Sequence, residues 1–202
     1  MMLGISGLQA PIIHANDTDV VIIPSYIAES IIDGNALAGV RGATGVNMVA
    51  GDANQQANAA AVGVSPNGAS ITSISSRQNT ELGQANAPDI AITGIRDNAF
   101  ANASGILSIN QISGESNVQA NGVSMSFGLE GMTITDVELA QTVTGNTAGL
   151  SVNGLDKSSL HIADIESTAF ENSRGIVQIN QTAGSGNATR NNFALRISTG
   201  AK

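Results

Sequence analysis

Gly105-Ile-Leu-Ser-Ile-Asn110-Gln-Ile-Ser-Gly114-Glu-Ser-Asn117, running on to Asn121, is the stretch whose reading decides the fold. It recurs as Gly175-Ile-Val-Gln-Ile-Asn180-Gln-Thr-Ala-Gly184-Ser-Gly-Asn187 with Asn191, and as Gly42-Ala-Thr-Gly-Val-Asn47-Met-Val-Ala-Gly51-Asp-Ala-Asn54 with Asn58. All three copies obey G-x4-N-x3-G-x2-N-x3-N without a gap. Agreement at every fixed position, three times over, marks a repeat protein, and a repeat governs every later reading of the chain.

The frame extends outward from the motif. Ala36-Leu37, Ala99-Phe100 and Ala169-Phe170 each precede the first glycine by the same spacing, with Ile32, Ile95 and Ile165 before them. Downstream, Ile71, Ile74 and Gln78 match Ile134, Val137 and Gln141. The first two copies are 63 residues apart and the next two 70, which places the extra residues of the second unit within Thr142–Ser159.

Parity then gives the local structure. Leu107, Ile109 and Gln111 fall on one side of an extended chain, and Ile106, Ser108, Asn110 and Ile112 on the other. A period of two is a strand. Gly-x-x-Asn follows as a turn, where glycine takes positive φ and asparagine bonds local backbone. Beyond it Asn121, Val123, Met125 and Phe127 share a face, as do Asn191, Phe193, Leu195 and Ile197, and Asn58, Ala60, Val62 and Val64. Ile71–Ser75 with Met132–Val137, and Ile90–Ile92 with Leu160–Ile162, supply further short strands. The expected fold is all-β, a β-solenoid or stacked β-arches from three units, with a β-sandwich of hairpins as the alternative.

The remaining segments are read as follows. Met1–Ala15 is apolar and turns polar at Asn16, resembling the end of a secretory signal cleaved after Ala15. No basic region precedes it, so either the signal is truncated at its start or the stretch is an ordinary apolar N-terminal strand. Val20–Ile23 reads as a short strand stopped by Pro24, and Ser25–Ile32 as a lead-in that a short helix would suit. Residues 16–202 form one β-repeat domain with motifs at 32–64, 95–127 and 165–197.

Composition supports this class and excludes others. Aromatic residues are 2% and charged residues 12%, against a usual charged share of roughly 25%. At 42% hydrophobic the chain is too apolar for disorder driven by charge. The net charge of −8, with scattered basic residues, argues against nucleic acid. No apolar run reaches the ~18 residues of a membrane helix. With no cysteine there is no disulfide, thiol nucleophile or Cys-ligated metal.

Catalytic signatures are wanting. His14 and His161 do not recur between units, and no G-x-S-x-G elbow or phosphate loop occurs. Asp136 and Glu138 share a strand face and are the best acid pair for a polysaccharide-active β-helix enzyme, though a solvated face explains them better. Asp17-Thr18-Asp19 is too short for a calcium loop. No cofactor or metal is expected.

What the repeat does supply is amides in register. A buried amide is costly unless its donors and acceptors are met. In a stack of rungs the same asparagine in every rung bonds the one above and below. Asn47, Asn58, Asn110, Asn121, Asn180 and Asn191 are thus expected to form ladders, and Asn54, Asn117 and Asn187 either ladders or turn caps. Gly42, Gly51, Gly105, Gly114, Gly175 and Gly184 punctuate them.

Gly45-Val-Asn-Met-Val-Ala-Gly-Asp-Ala-Asn-Gln-Gln-Ala-Asn58 resembles the repeat core of secreted bacterial adhesin-like and Fap-type functional-amyloid proteins. The Asn110–Asn117 spacing is similar to curlin repeats. The resemblance implies secretion across a Gram-negative outer membrane and a role in surface fibres, biofilm matrix or adhesion. Fap subunits carry a terminal paired-cysteine motif, whereas residues 198–202 read Ser-Thr-Gly-Ala-Lys, and the linkers here hold apolar strands. These departures suit a minor component or a monomeric relative. Three functions follow: a self-associating structural protein with its own copies or related subunits as partners, a soluble module binding a glycan or surface, and, least favoured, the enzyme.

Overall fold

The computed structural model describes residues 26–66, 68, 70–81, 87–128, 134–144 and 159–198, with backbone alone at 134–139. These form eleven strands: β1 Ile27–Ile32, β2 Arg41–Ala50, β3 Gln55–Ser65, β4 Ile71–Glu81, β5 Ile90–Ile95, β6 Ser104–Ser113, β7 Val118–Gly128, β8 Ile134–Thr144, β9 Leu160–Ile165, β10 Arg174–Ala183 and β11 Ala188–Ser198. Every ladder is parallel, and every pairing joins equivalent positions of successive units. Each unit is therefore one layer: β1–β4, then β5–β8, then β9–β11. Asn47, Asn110 and Asn180 stand in line, as do Asn58, Asn121 and Asn191.

Four sheets result, with strand orders β1-β5-β9, β2-β6-β10, β3-β7-β11 and β4-β8. They pack in that order, so the chain winds back and forth through each layer before climbing to the next. The hairpin sandwich is excluded, because β2 and β3 lie in different sheets and form an arch. Stacked β-arches in a solenoid-like repeat describe the molecule. Within the lead-in, Ile27–Ile32 is a strand rather than a helix. Ala28, Ser30 and Ile32 are buried in alternation on β1, which pairs with β5. The matching unit-two strand at Ile90 carried that signal.

Side chains explain the spacing of the sheets. Leu107 and Ile109 point from β6 toward the first sheet and pack with Ile32, Ile95, Ala99, Phe100, Ala103 and Ala169 in the main core. Phe100 and Phe170 stack in successive layers, centroids 5.1 Å apart and nearly coplanar. Ala57, Ala59 and Ala61 on β3 face Ile74, and these small residues let the fourth sheet lie close. β4 rests on both β3 and β7, and Ser124 Oγ donates to Thr72 Oγ1 at 2.8 Å across that contact. The register of 63 residues holds from Ile71↔Ile134 to Glu81↔Thr144, and Ile90↔Leu160 is already 70 apart. The extra residues thus fall between Thr144 and Leu160, inside the expected Thr142–Ser159 window. The signal reading of Met1–Ala15, the Val20–Ile23 strand, His14 and Asp17-Thr18-Asp19 lie outside the described residues.

Candidate functional site: amide ladders and two open ends

Each arch encloses two asparagine columns between the second and third sheets. Asn121 Nδ2 donates to Asn110 Oδ1 in its own layer at 3.0 Å, to Asn58 Oδ1 in the first layer at 3.0 Å and to the Ile109 carbonyl at 3.1 Å. Asn110 Nδ2 makes the matching set with Asn58 Oδ1, Asn47 Oδ1 and the Ala57 carbonyl. Asn180 and Asn191 repeat it on Asn110 and Asn121. Two N–H groups serve three acceptors each time, so at least one bond is shared between two acceptors. Asn110, Asn117 and Asn121 are fully buried. Their burial is tolerable because every amide is met.

The turn asparagines do both things the sequence left open. Asn117 backbone N–H and Nδ2 both donate to Asn54 Oδ1, at 2.9 and 3.0 Å, and Asn187 treats Asn117 the same way. Nδ2 of Asn54 and of Asn117 also bonds the Gly114 and Gly184 carbonyl of the next arch. They are rungs and caps together.

Glutamine ladders were signalled less clearly. Gln181 Nε2 donates to Gln111 Oε1 at 3.1 Å, and Gln141 Nε2 to Gln78 Oε1 at 3.0 Å. In the first layer Met48 takes the place of the first column's glutamine, and Gln111 instead reaches the Ser30 carbonyl at 2.7 Å.

The glycines are spacers between layers. Gly105 and Gly175 have positive φ, and a Cβ on either would collide with the carbonyl of the glycine in the layer below, Gly42 or Gly105. A Cβ on Gly51 or Gly114 would collide with the carbonyl of the layer above, Gly114 or Gly184. At Gly42 the same Cβ meets nothing within 4 Å, and at Gly184 its nearest neighbours are atoms of the His161 ring. The stacking constraint is written at those two positions without a layer among the described residues to require it.

At the arch apex the third column is acidic. Asp52 and Glu115 lie in successive layers, with Ser185 in the third, and the Glu115 backbone N–H donates to Ser185 Oγ at 3.4 Å. Burial first, and then Asp52, hold the Glu115 carboxyl above the usual carboxylate range. Tyr26 is raised by burial and by both acids.

For the enzyme reading, Asp136 and Glu138 place their backbone on β8 opposite Ser73 and Ser75. Their side chains lie outside the described residues. His161 is exposed on β9. Among the described residues no group of His, Cys, Asp or Glu could hold a metal ion, and no helix is long and apolar enough to cross a membrane.

In-register parallel layers, amide ladders and glycine spacers define an amyloid-like repeat protein, with the stack built within one chain. The chain belongs to the functional amyloid protein FapB/FapC family, whose family profile matches residues 11–198. No solved structure matches it.

Proposed function

We propose that this chain is a subunit of extracellular amyloid fibres of the biofilm matrix, exported from the cell and growing by addition of layers at the two ends of its stack. The carrying observation is the direction of the ladders. Every interlayer bond between asparagine side chains in the two columns is donated by the upper layer's Nδ2 to the lower layer's Oδ1. The first layer thus ends the columns with donors, at Asn47 and Asn58, and the third with acceptors, at Asn180 and Asn191. A copy added in the same orientation continues each column, and parallel open edges invite it. An inverted copy sets acceptor against acceptor.

Membership of a functional-amyloid family supports the reading. The test is thioflavin-T kinetics of the purified full chain with and without sonicated seeds, with electron microscopy of the product. Seed-accelerated growth to uniform fibres is expected. A flat trace from a monodisperse β-rich monomer would overturn it and favour a soluble module that binds through its surface.

A further inference from the structure

The gap between the second and third sheets changes its filling from one end of the molecule to the other. In the first layer it is lined by Ala43, Gly45 and Ala60. The equivalents are Ile106, Ser108 and Val123 in the second layer and Ile176, Gln178 and Phe193 in the third. Small residues leave a recess of about 140 Å³ at the first-layer end, deep enough that Ile106 and Ser108 of the second layer line it. At the other end Ile176, Gln178 and Phe193 border an open groove of about 550 Å³.

We infer that the recess of Ala43, Gly45 and Ala60 is a socket for Phe193 of a second copy, and that this pairing of small with large sets the polarity and partner of the junction. It rests on the stacking reading above. In register, Phe193 of one copy falls opposite Ala60 of the next, Gln178 opposite Gly45, and Ile176 opposite Ala43. Within the chain Gln178 shows that a side chain can cross a layer boundary, but it leans down to the second layer, where Ser108 Oγ donates to its Oε1 at 3.5 Å and its Nε2 donates to the Gly122 carbonyl at 3.2 Å, which leaves Phe193 as the side chain to enter the recess. A side chain of Phe193's size is able to lean across a layer boundary, and the small residues of the first-layer end leave a recess to receive it. Two third-layer ends would crowd large against large, and two first-layer ends would enclose a void, each unfavourable for close packing.

The apex column agrees with this polarity. Within the chain Asp52 and Glu115 repel, but at the junction Asp52 meets the neutral Ser185. Related subunits with a bulky residue at any of the three socket positions would be refused, so the socket also chooses among partners.

The test uses the full chain with Ala60→Phe, Phe193→Ala, the double variant, and Ser73→Phe on the exposed outer face of β4 as a size control. Ala60 is exposed in the single subunit, so Ala60→Phe leaves its circular dichroism unchanged. Seeded elongation on wild-type seeds is expected to slow at least tenfold for Ala60→Phe and several-fold for Phe193→Ala. The double variant should elongate on its own seeds faster than either single variant, while Ser73→Phe matches wild type. Wild-type fibres with undiminished growth of Ala60→Phe would overturn the socket and leave the stacking reading intact. Absence of wild-type fibres would instead overturn the stacking reading, and the socket with it.

Discussion

The middle layer and the two outer layers are built from the same motif yet occupy different environments. Asn110, Asn117 and Asn121 of the middle layer are fully buried, with amide partners above and below. Asn58 and Asn191, one layer away, are half-buried and, among the described residues, have an amide neighbour layer on one side only. β5 buries four of its six residues, whereas β9, aligned with it, is exposed throughout. One sequence pattern thus yields a finished interior and two unfinished surfaces. Motif residues that seem redundant at an end, such as Gly42, make sense once the end is treated as an interior awaiting a layer.

Substitutions sharpen that contrast, and the largest effect is expected at the middle glycine. Gly114→Ala drives a methyl into the Gly184 carbonyl. A loss of at least about 4 kcal/mol is expected, read as failure to show a cooperative denaturant transition. Gly42→Ala meets open space, so its cost is the strain of a positive φ, about 1 kcal/mol. Equal losses at the two sites would break the comparison.

Next come the asparagines. Asn121→Ala strips partners from Asn58, Asn110, Asn180 and Asn191 in a buried setting. It should cost about 3 kcal/mol, against about 1 kcal/mol for Asn58→Ala, where water reaches the remaining groups. Urea titration of both variants measures the gap, and in fibres the gap should close as Asn58 becomes interior.

The smallest effect concerns pH. A Glu115 carboxyl raised in the folded state favours the protonated form there more than in the unfolded chain. Its contribution is fully present below the unfolded value and is lost as pH rises through the folded one. Stability should therefore increase modestly on acidification across the carboxylate range. Glu115→Gln should flatten that dependence, measured as denaturation midpoint against pH.

Much of this was legible because a repeat aligns itself. Parity around Leu107 and Asn121 gave both faces of two strands, and the shared offsets gave the register that the ladders follow. Three things were harder to see. Arch and hairpin use the same two strands and the same Gly-x-x-Asn turn, and only pairing between units, rather than within one, tells them apart. β1 is short, and Glu29 stands where the later units have Ile92 and Ile162, which hid its likeness to β5 and β9. The socket at Ala43, Gly45 and Ala60 arises from departures between repeats, whereas the motif was found through what the repeats share.

The most direct test of the central claim is the axial rise per subunit in fibres of the full chain, taken from helical reconstruction by electron cryo-microscopy. Three stacked layers per chain predict a rise of about 14 Å, three times the ~4.8 Å strand spacing, with subunits in one orientation. A rise of about 4.8 Å, one layer per chain, would contradict the account, because the amide columns would then run between identical positions of different molecules rather than through the three units of one.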